Sequence, residues 1–198
     1  MSDFQKTIVE QLRESASVLT ETAKLAPEID AVAAALLRCY RAGGKILTFG
    51  NGGSSCDAQN FADELVGRYR RNRPPLSALA LTVNQGDLTS IANDFGFEEV
   101  FARQLRAHAR RGDVAVAIST SGNSKNVLKA IAAAREIGVT VVGLSGRSGG
   151  KMKAECDHCL CIPSDSTARI QEAHITVIQI WCGILEDALF PDAPLAHA

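Results

Sequence analysis

The hydrophobic positions of this chain change period near residue 45. Before it, Phe4, Ile8, Leu12, Ala16 and Leu19 recur at near-helical spacing, with Val9 beside them. Ser2 and Gln5 have the spacing of a capping box ahead of that helix. A second helical pattern covers residues 29–41 and stops at Gly43-Gly44. This pair cannot bury all its apolar surface alone, so it packs on a sheet or builds a subunit interface. After residue 45, short apolar runs alternate with amphipathic ones. Strands are expected at 45–49, 76–82, 114–118, 140–144 and 158–162. Helices are expected at 54–67, 87–93, 98–110, 123–137 and 167–189, with a short one after the Gly-rich turn 146–150. Strands that are apolar throughout suit a mainly parallel sheet covered on both faces. The expected fold class is therefore α/β, a three-layer αβα sandwich on a five-stranded sheet, preceded by N-terminal helices. One domain is expected over 1–198: helices in 1–44, the αβα core in 45–190, and a frayed tail in 191–198 marked by Pro191 and Pro194.

Composition narrows the class. The chain has 198 residues, 46% of them hydrophobic, enough for a sizeable core. A net charge of −1 gives no reason to expect nucleic acid or a membrane surface as partner. No basic segment leads into an apolar run at the N-terminus, and no apolar stretch approaches the roughly 18 residues of a membrane span. A cytoplasmic protein is expected. Its six cysteines are then reduced thiols. Cys156, Cys159 and Cys161 lack the second paired knuckle of a structural zinc site. Cys159 and Cys161 share one strand face and read as small buried hydrophobes.

The chemistry is in the loops that follow strands. Residues 119–124, Ser-Thr-Ser-Gly-Asn-Ser, carry a buried strand into an alanine-rich helix. Such a turn aims backbone N–H groups and a positive helix end at one point, where an anion is stabilised. Ser119, Thr120, Ser121 and Ser124 add hydroxyl donors without adding charge. The loop after the first strand, residues 50–55, is equally rich in Gly, Asn and Ser. Neither matches the glycine spacing of a dinucleotide fingerprint or a P-loop. Two polar loops at one sheet edge point to a small phosphorylated polyol. Arg68, Arg70, Arg71 and Arg73 form a basic cluster, read as a solvated loop or as the source of one arginine for a phosphate.

Four segments together resemble a known family: Asn51-Gly-Gly-Ser54, Asn93-Asp94, residues 119–124 and Arg169-Ile-Gln-Glu172. They are similar to the flavodoxin-like sugar isomerase (SIS) domain, and within it to the phosphoheptose isomerases. The resemblance implies a homotetramer with active sites at subunit interfaces. It implies an intramolecular oxidoreductase that interconverts sedoheptulose 7-phosphate and D-glycero-D-manno-heptose 7-phosphate, towards ADP- or GDP-heptose. It carries phosphate binding to Ser119, Thr120, Ser121 and Ser124, and sugar contacts to Asn51, Gly52, Gly53, Ser54, Asn93, Asp94 and Gln171. It makes Glu64 the base. An aldose–ketose isomerase needs such a base over C1–C2 and a donor for the developing oxyanion.

The chain departs from that pattern at two places. In zinc-dependent members two histidines, the glutamate and the glutamine hold a metal, and here the histidine positions are Asn60 and Gln179. Amides are poor zinc ligands and do not titrate near neutrality. No cofactor is firmly implied, and zinc would have only Glu64 and Gln171 of the usual set. His174, three residues after Gln171, is the nearest substitute for the missing acid–base histidine, against a packing role. His108, His158 and His197 have no supporting motif. Three readings follow. One is an active heptose-phosphate isomerase. The second is a SIS protein that binds a sugar phosphate as a sensor or serves as a protein scaffold. The third is an isomerase of another ketose phosphate.

Overall fold

A computed structural model describes residues 2–196, so His197 lies outside the described residues. Helix α1 (Asp3–Thr22) opens on the expected capping box: Gln5 N–H donates to Ser2 Oγ at 3.2 Å and Ser2 N–H to Gln5 Oε1 at 2.9 Å. One 3-10 turn joins it to α2 (Ala26–Arg41). The two helices differ in burial. Ile29, Val32, Leu36 and Cys39 of α2 are buried against the sheet, whereas Phe4, Ile8 and Leu12 of α1 are exposed.

Strands and helices then alternate: β1 (Ile46–Gly50), α3 (Gly53–Val66), β2 (Ala78–Ala80), α4 (Gln85–Phe95), α5 (Val100–His108), β3 (Val114–Ile118), α6 (Lys125–Ile137), β4 (Thr140–Gly146), α7 (Met152–Glu155), β5 (His158–Ile162) and α8 (Thr167–Leu189). All strand pairs are parallel, in the order β2-β1-β3-β4-β5. Side chains alternate across a strand. Ile46, Val114, Val116 and Leu144 therefore face α2, α3 and α8, while Leu47, Phe49, Ala115, Ala117 and Val141 face α5 and α6. The result is the αβα sandwich that the apolar strands predict.

Two expectations need correction. Strand β2 is only three residues long. Pro74 and Pro75 lack N–H groups, and Leu76 N–H turns to Leu65 O instead of the sheet. The tail is not frayed through Ala196. Leu195 bridges Arg71, Asn72 N–H donates to Pro194 O at 2.9 Å, and Ala196 N–H to Arg70 O at 2.7 Å. The described part of the tail is thus paired with the 70–72 loop.

The strand order places the site. From β1 the chain steps outward to β2, then returns to build β3 on the other side of β1. In an open parallel sheet the crevice beyond the strand ends lies at such a switch, here between the loops leaving β1 and β3.

Candidate active site

A cavity of about 240 Å³ occupies that crevice, lined by Asn51, Ser54, Ile118, Ser119, Thr120, Ser121, Ser124, Thr167 and Gln171. Helices α3, α6 and α8 all begin at it, none with a side-chain cap. Their positive ends meet there, although Ser54, Ser55 and Val127 N–H groups are already taken by Asn51 O, Gly52 O and Asn126 Oδ1, and the lining holds no lysine or arginine. Three uncapped helix ends with hydroxyl groups between them form a neutral cradle for an anion.

The cradle is held from behind. Ser119 Oγ lies 3.0 Å from Ser124 Oγ, and Ser145 Oγ donates to Ser119 O at 2.9 Å. Met152 N–H donates to Gly122 O at 3.1 Å, and Lys151 N–H to Asn123 Oδ1 at 3.1 Å. Gly122 has φ +65°, and a Cβ there would overlap Gly149 O. A Cβ on Gly53 would overlap the Gln171 amide, so the first turn of α3 and Gln171 are in direct contact. Asn51 and Asn126 exchange amide hydrogen bonds, each 2.8 Å, which joins the β1 loop to the first turn of α6.

Further along the same two helices is a second polar group. Half-buried Glu64 and Asn60 stand on α3, and Gln179 stands on α8. Gln179 Nε2 donates to Asn60 Oδ1 at 2.8 Å and lies 3.5 Å from Glu64 Oε1. Gln179 also borders a groove of about 560 Å³ with Tyr69, Arg70, Ile175, Ile180, Gly183, Ile184 and Asp187. The place beside the Glu64 carboxylate is thus filled by an N–H₂ donor rather than by a lone pair. These residues do not fit zinc. Among the described residues no three His, Cys, Asp or Glu side chains gather as a metal-binding set.

Other expected residues fall elsewhere. His174 is fully buried, with its Nε2 3.0 Å from Ser145 O, and burial pushes its pKa down to about 4. It packs between α8 and β4 and does not line the cavity, which corrects its place as substitute acid. Asn93 and Asp94 are exposed near the end of α4 and bond to each other at 2.8 Å, outside the cavity of their own chain. The arginine cluster is neither uniformly solvated nor aimed at the cradle. Arg73 is buried and donates to Glu186 Oε1 at 3.0 Å, and Arg71 donates to Asp187 at 2.8 Å. His108 is exposed and His158 half-buried, neither in the lining. Cys159 and Cys161 do share a face, with Sγ atoms 4.0 Å apart, but they are half-buried and Cys56 is exposed.

Two features escape pattern reading. Asn126 and Thr167 are short polar residues in the opening turns of α6 and α8, and their helix-start positions were the only signal. Asp57, on the same helix as exposed Asp63, is buried, and its Oδ2 has no hydrogen-bond partner among the described residues.

A parallel sheet with a neutral hydroxyl-lined cradle at its switch point defines a SIS-domain protein, and the family model described as SIS domain matches residues 10–146. Within that class the chain belongs to the phosphoheptose isomerase family. It is 55% identical to the phosphoheptose isomerase of Rhodospirillum rubrum over 83% of this chain and 87% of that one. It is 47% identical to that of Roseiflexus sp. over 96% of each chain. The solved phosphoheptose isomerase of Neisseria gonorrhoeae superposes with a TM-score of 0.89 at 43% identity, covering 93% of this chain and 99% of that one.

Proposed function

We propose that this protein interconverts sedoheptulose 7-phosphate and D-glycero-D-manno-heptose 7-phosphate, an isomerisation that leads towards ADP- or GDP-heptose. One observation carries the reading: two of the three helices that begin at the cradle, α3 and α8, carry Glu64 and Gln179 further along, at a spacing that fits the substrate. Gln171 borders the cradle, and Gln179 beside Glu64 is eight residues further along α8, about 12 Å at helical rise. An extended seven-carbon chain with its phosphate spans about 10 Å at ordinary bond lengths. A phosphate held by Ser119, Thr120, Ser121 and Ser124 leaves C1 and C2 within side-chain reach of Glu64. Asn51, Gly52, Gly53, Ser54 and Gln171 would supply the sugar contacts; of these, Asn51, Ser54 and Gln171 border the cradle.

Glu64 then removes the proton from the carbon beside the carbonyl, and that C–H electron pair becomes the double bond of an enediol. The proton returns to the neighbouring carbon, and aldose and ketose exchange. The working form is a single-domain chain assembled into a cytoplasmic homotetramer with interface active sites. Exposed Phe4, Ile8 and Leu12 on α1 support this, as does α4, none of whose residues is buried. Asn93 and Asp94 on α4 would complete a neighbour's site. Among the described residues no helix is long and apolar enough to cross a membrane.

NMR of the purified protein with sedoheptulose 7-phosphate is the test. Turnover is expected, and Glu64→Gln should lower kcat by about 10²–10⁴-fold. Unchanged turnover in that variant would overturn the assignment of Glu64. No turnover by the parent protein would overturn the isomerase.

A further inference from the structure

The pair at positions 60 and 179 has a defined polarity. An ionised carboxylate only accepts hydrogen bonds, so the Gln179 amide must turn its Nε2 towards Glu64. The same nitrogen donates to Asn60 at 2.8 Å, so the Asn60 atom facing it must be Oδ1. Asn60 Nδ2 is therefore turned away from Gln179, and it has no hydrogen-bond partner among the described residues. The charge of Glu64 thus orients two amides in series and leaves an N–H₂ donor one helical turn from the carboxylate. Gln179 Nε2 thus sits between Asn60 Oδ1 at 2.8 Å and, at the longer distance of 3.5 Å, Glu64 Oε1.

We propose that this amide pair takes the place of a metal ion: Asn60 Nδ2 holds the substrate's carbonyl oxygen while Glu64 takes the proton, and the reaction runs without a divalent metal. The inference rests on the isomerase reading of the same site. The step balances without a co-reactant. The C–H pair becomes the C=C bond, the proton goes to Glu64, and the former carbonyl oxygen takes up charge against the Asn60 N–H groups. The adjacent hydroxyl proton then moves to that oxygen, and Glu64 returns its proton to the other carbon. Asn60 is the catalytic donor in this scheme. Gln179 is a positioning residue that aims it.

Zinc titration of the metal-stripped protein by calorimetry, alongside turnover with and without a chelator, tests the proposal. No zinc binding and chelator-insensitive turnover are expected. Asn60→Leu should lower kcat by about 10²-fold, as loss of one oxyanion donor does, with KM little changed. Gln179→Leu should give a smaller fall in kcat, again with KM held, a split that general loosening of the pocket would not produce. The Asn60→His, Gln179→His double variant should gain stoichiometric zinc. Stoichiometric zinc in the parent protein, or turnover lost to the chelator and restored by zinc, would overturn the inference. Absence of turnover alone would count against the isomerase, while the zinc titration would still decide whether the amide pair excludes metal.

Discussion

At the scale of single residues, the cradle uses neutral donors where a charged phosphate site is often expected to use lysine or arginine. A hydrogen bond to a charged group contributes about 1.5–3 kcal/mol, so Ser124→Ala should raise KM for the sugar phosphate by roughly tenfold or more. Steady-state kinetics will show it, and an unchanged KM would remove Ser124 from the phosphate contacts. Asp57 gives a second expectation. Burial raises its pKa from the ordinary 3.8 to about 6. The folded chain therefore binds more protons than the unfolded chain between those values. The stability from this group is complete below the unfolded pKa and is lost as pH rises through about 6. Asp57→Asn should be more stable than the parent at pH 7.5 by about 3 kcal/mol, with the difference vanishing near pH 4. Urea unfolding across that range measures it. A constant difference at all pH values would refute the titration of Asp57.

At the scale of elements, α8 does two jobs. It carries Gln171 at the cavity and Gln179 beside Glu64, and its last turns anchor the loop after α3. Glu186, fully buried, accepts N–H groups of Tyr69, Arg70 and Arg71 at 2.8–2.9 Å and the Arg73 guanidinium at 3.0 Å. Burial alone would raise its pKa, but the three backbone donors and Arg73 outweigh it and hold the carboxyl below its usual range. This support is present above the unfolded carboxylate pKa and is lost as pH falls through the lower folded one. Glu186→Ala leaves Arg73 buried and unpaired, and about 3–5 kcal/mol of stability should go with it. Thermal melts read that loss, and a change under 1 kcal/mol, about the worth of an exposed pair, would mean the pair is effectively solvated. Glycine has a comparable local role in the β3–α6 loop. Gly122→Ala should cost about 1–3 kcal/mol from its positive φ alone, and it should also weaken substrate binding through the collision with Gly149.

At the scale of the whole molecule, the uncovered apolar side chains of α1 and the unburied α4 bear on assembly. Light scattering should give four chain masses. Ile8→Glu should shift the population to smaller species and lower turnover with it, if sites are completed between subunits. A tetramer unaffected by that change would take α1 out of the interface.

Fold class was readable from the chain because apolar strands and amphipathic helices have different periods. Strands β3 and β5 and helix α8 fall where the pattern puts them. The 119–124 loop was readable because hydroxyls, a glycine and a helix start are all local signals. Edge effects were less so: β2 shrank because two prolines and a bond from Leu76 to Leu65 compete with the sheet, and the tail was held by partners about 120 residues away. Local pattern could not separate His174 from a catalytic histidine, or Asp57 from exposed Asp63 on the same helix, since burial is a property of packing. The sequence by itself determined the architecture, the hydroxyl-rich loop between β3 and α6, and the absence of two histidines. Only the tertiary structure decided that three helix ends share one cavity, that His174 is walled off, and that Asn60, Glu64 and Gln179 meet. Those are distances between elements far apart in the chain, set by how helices pack on the sheet.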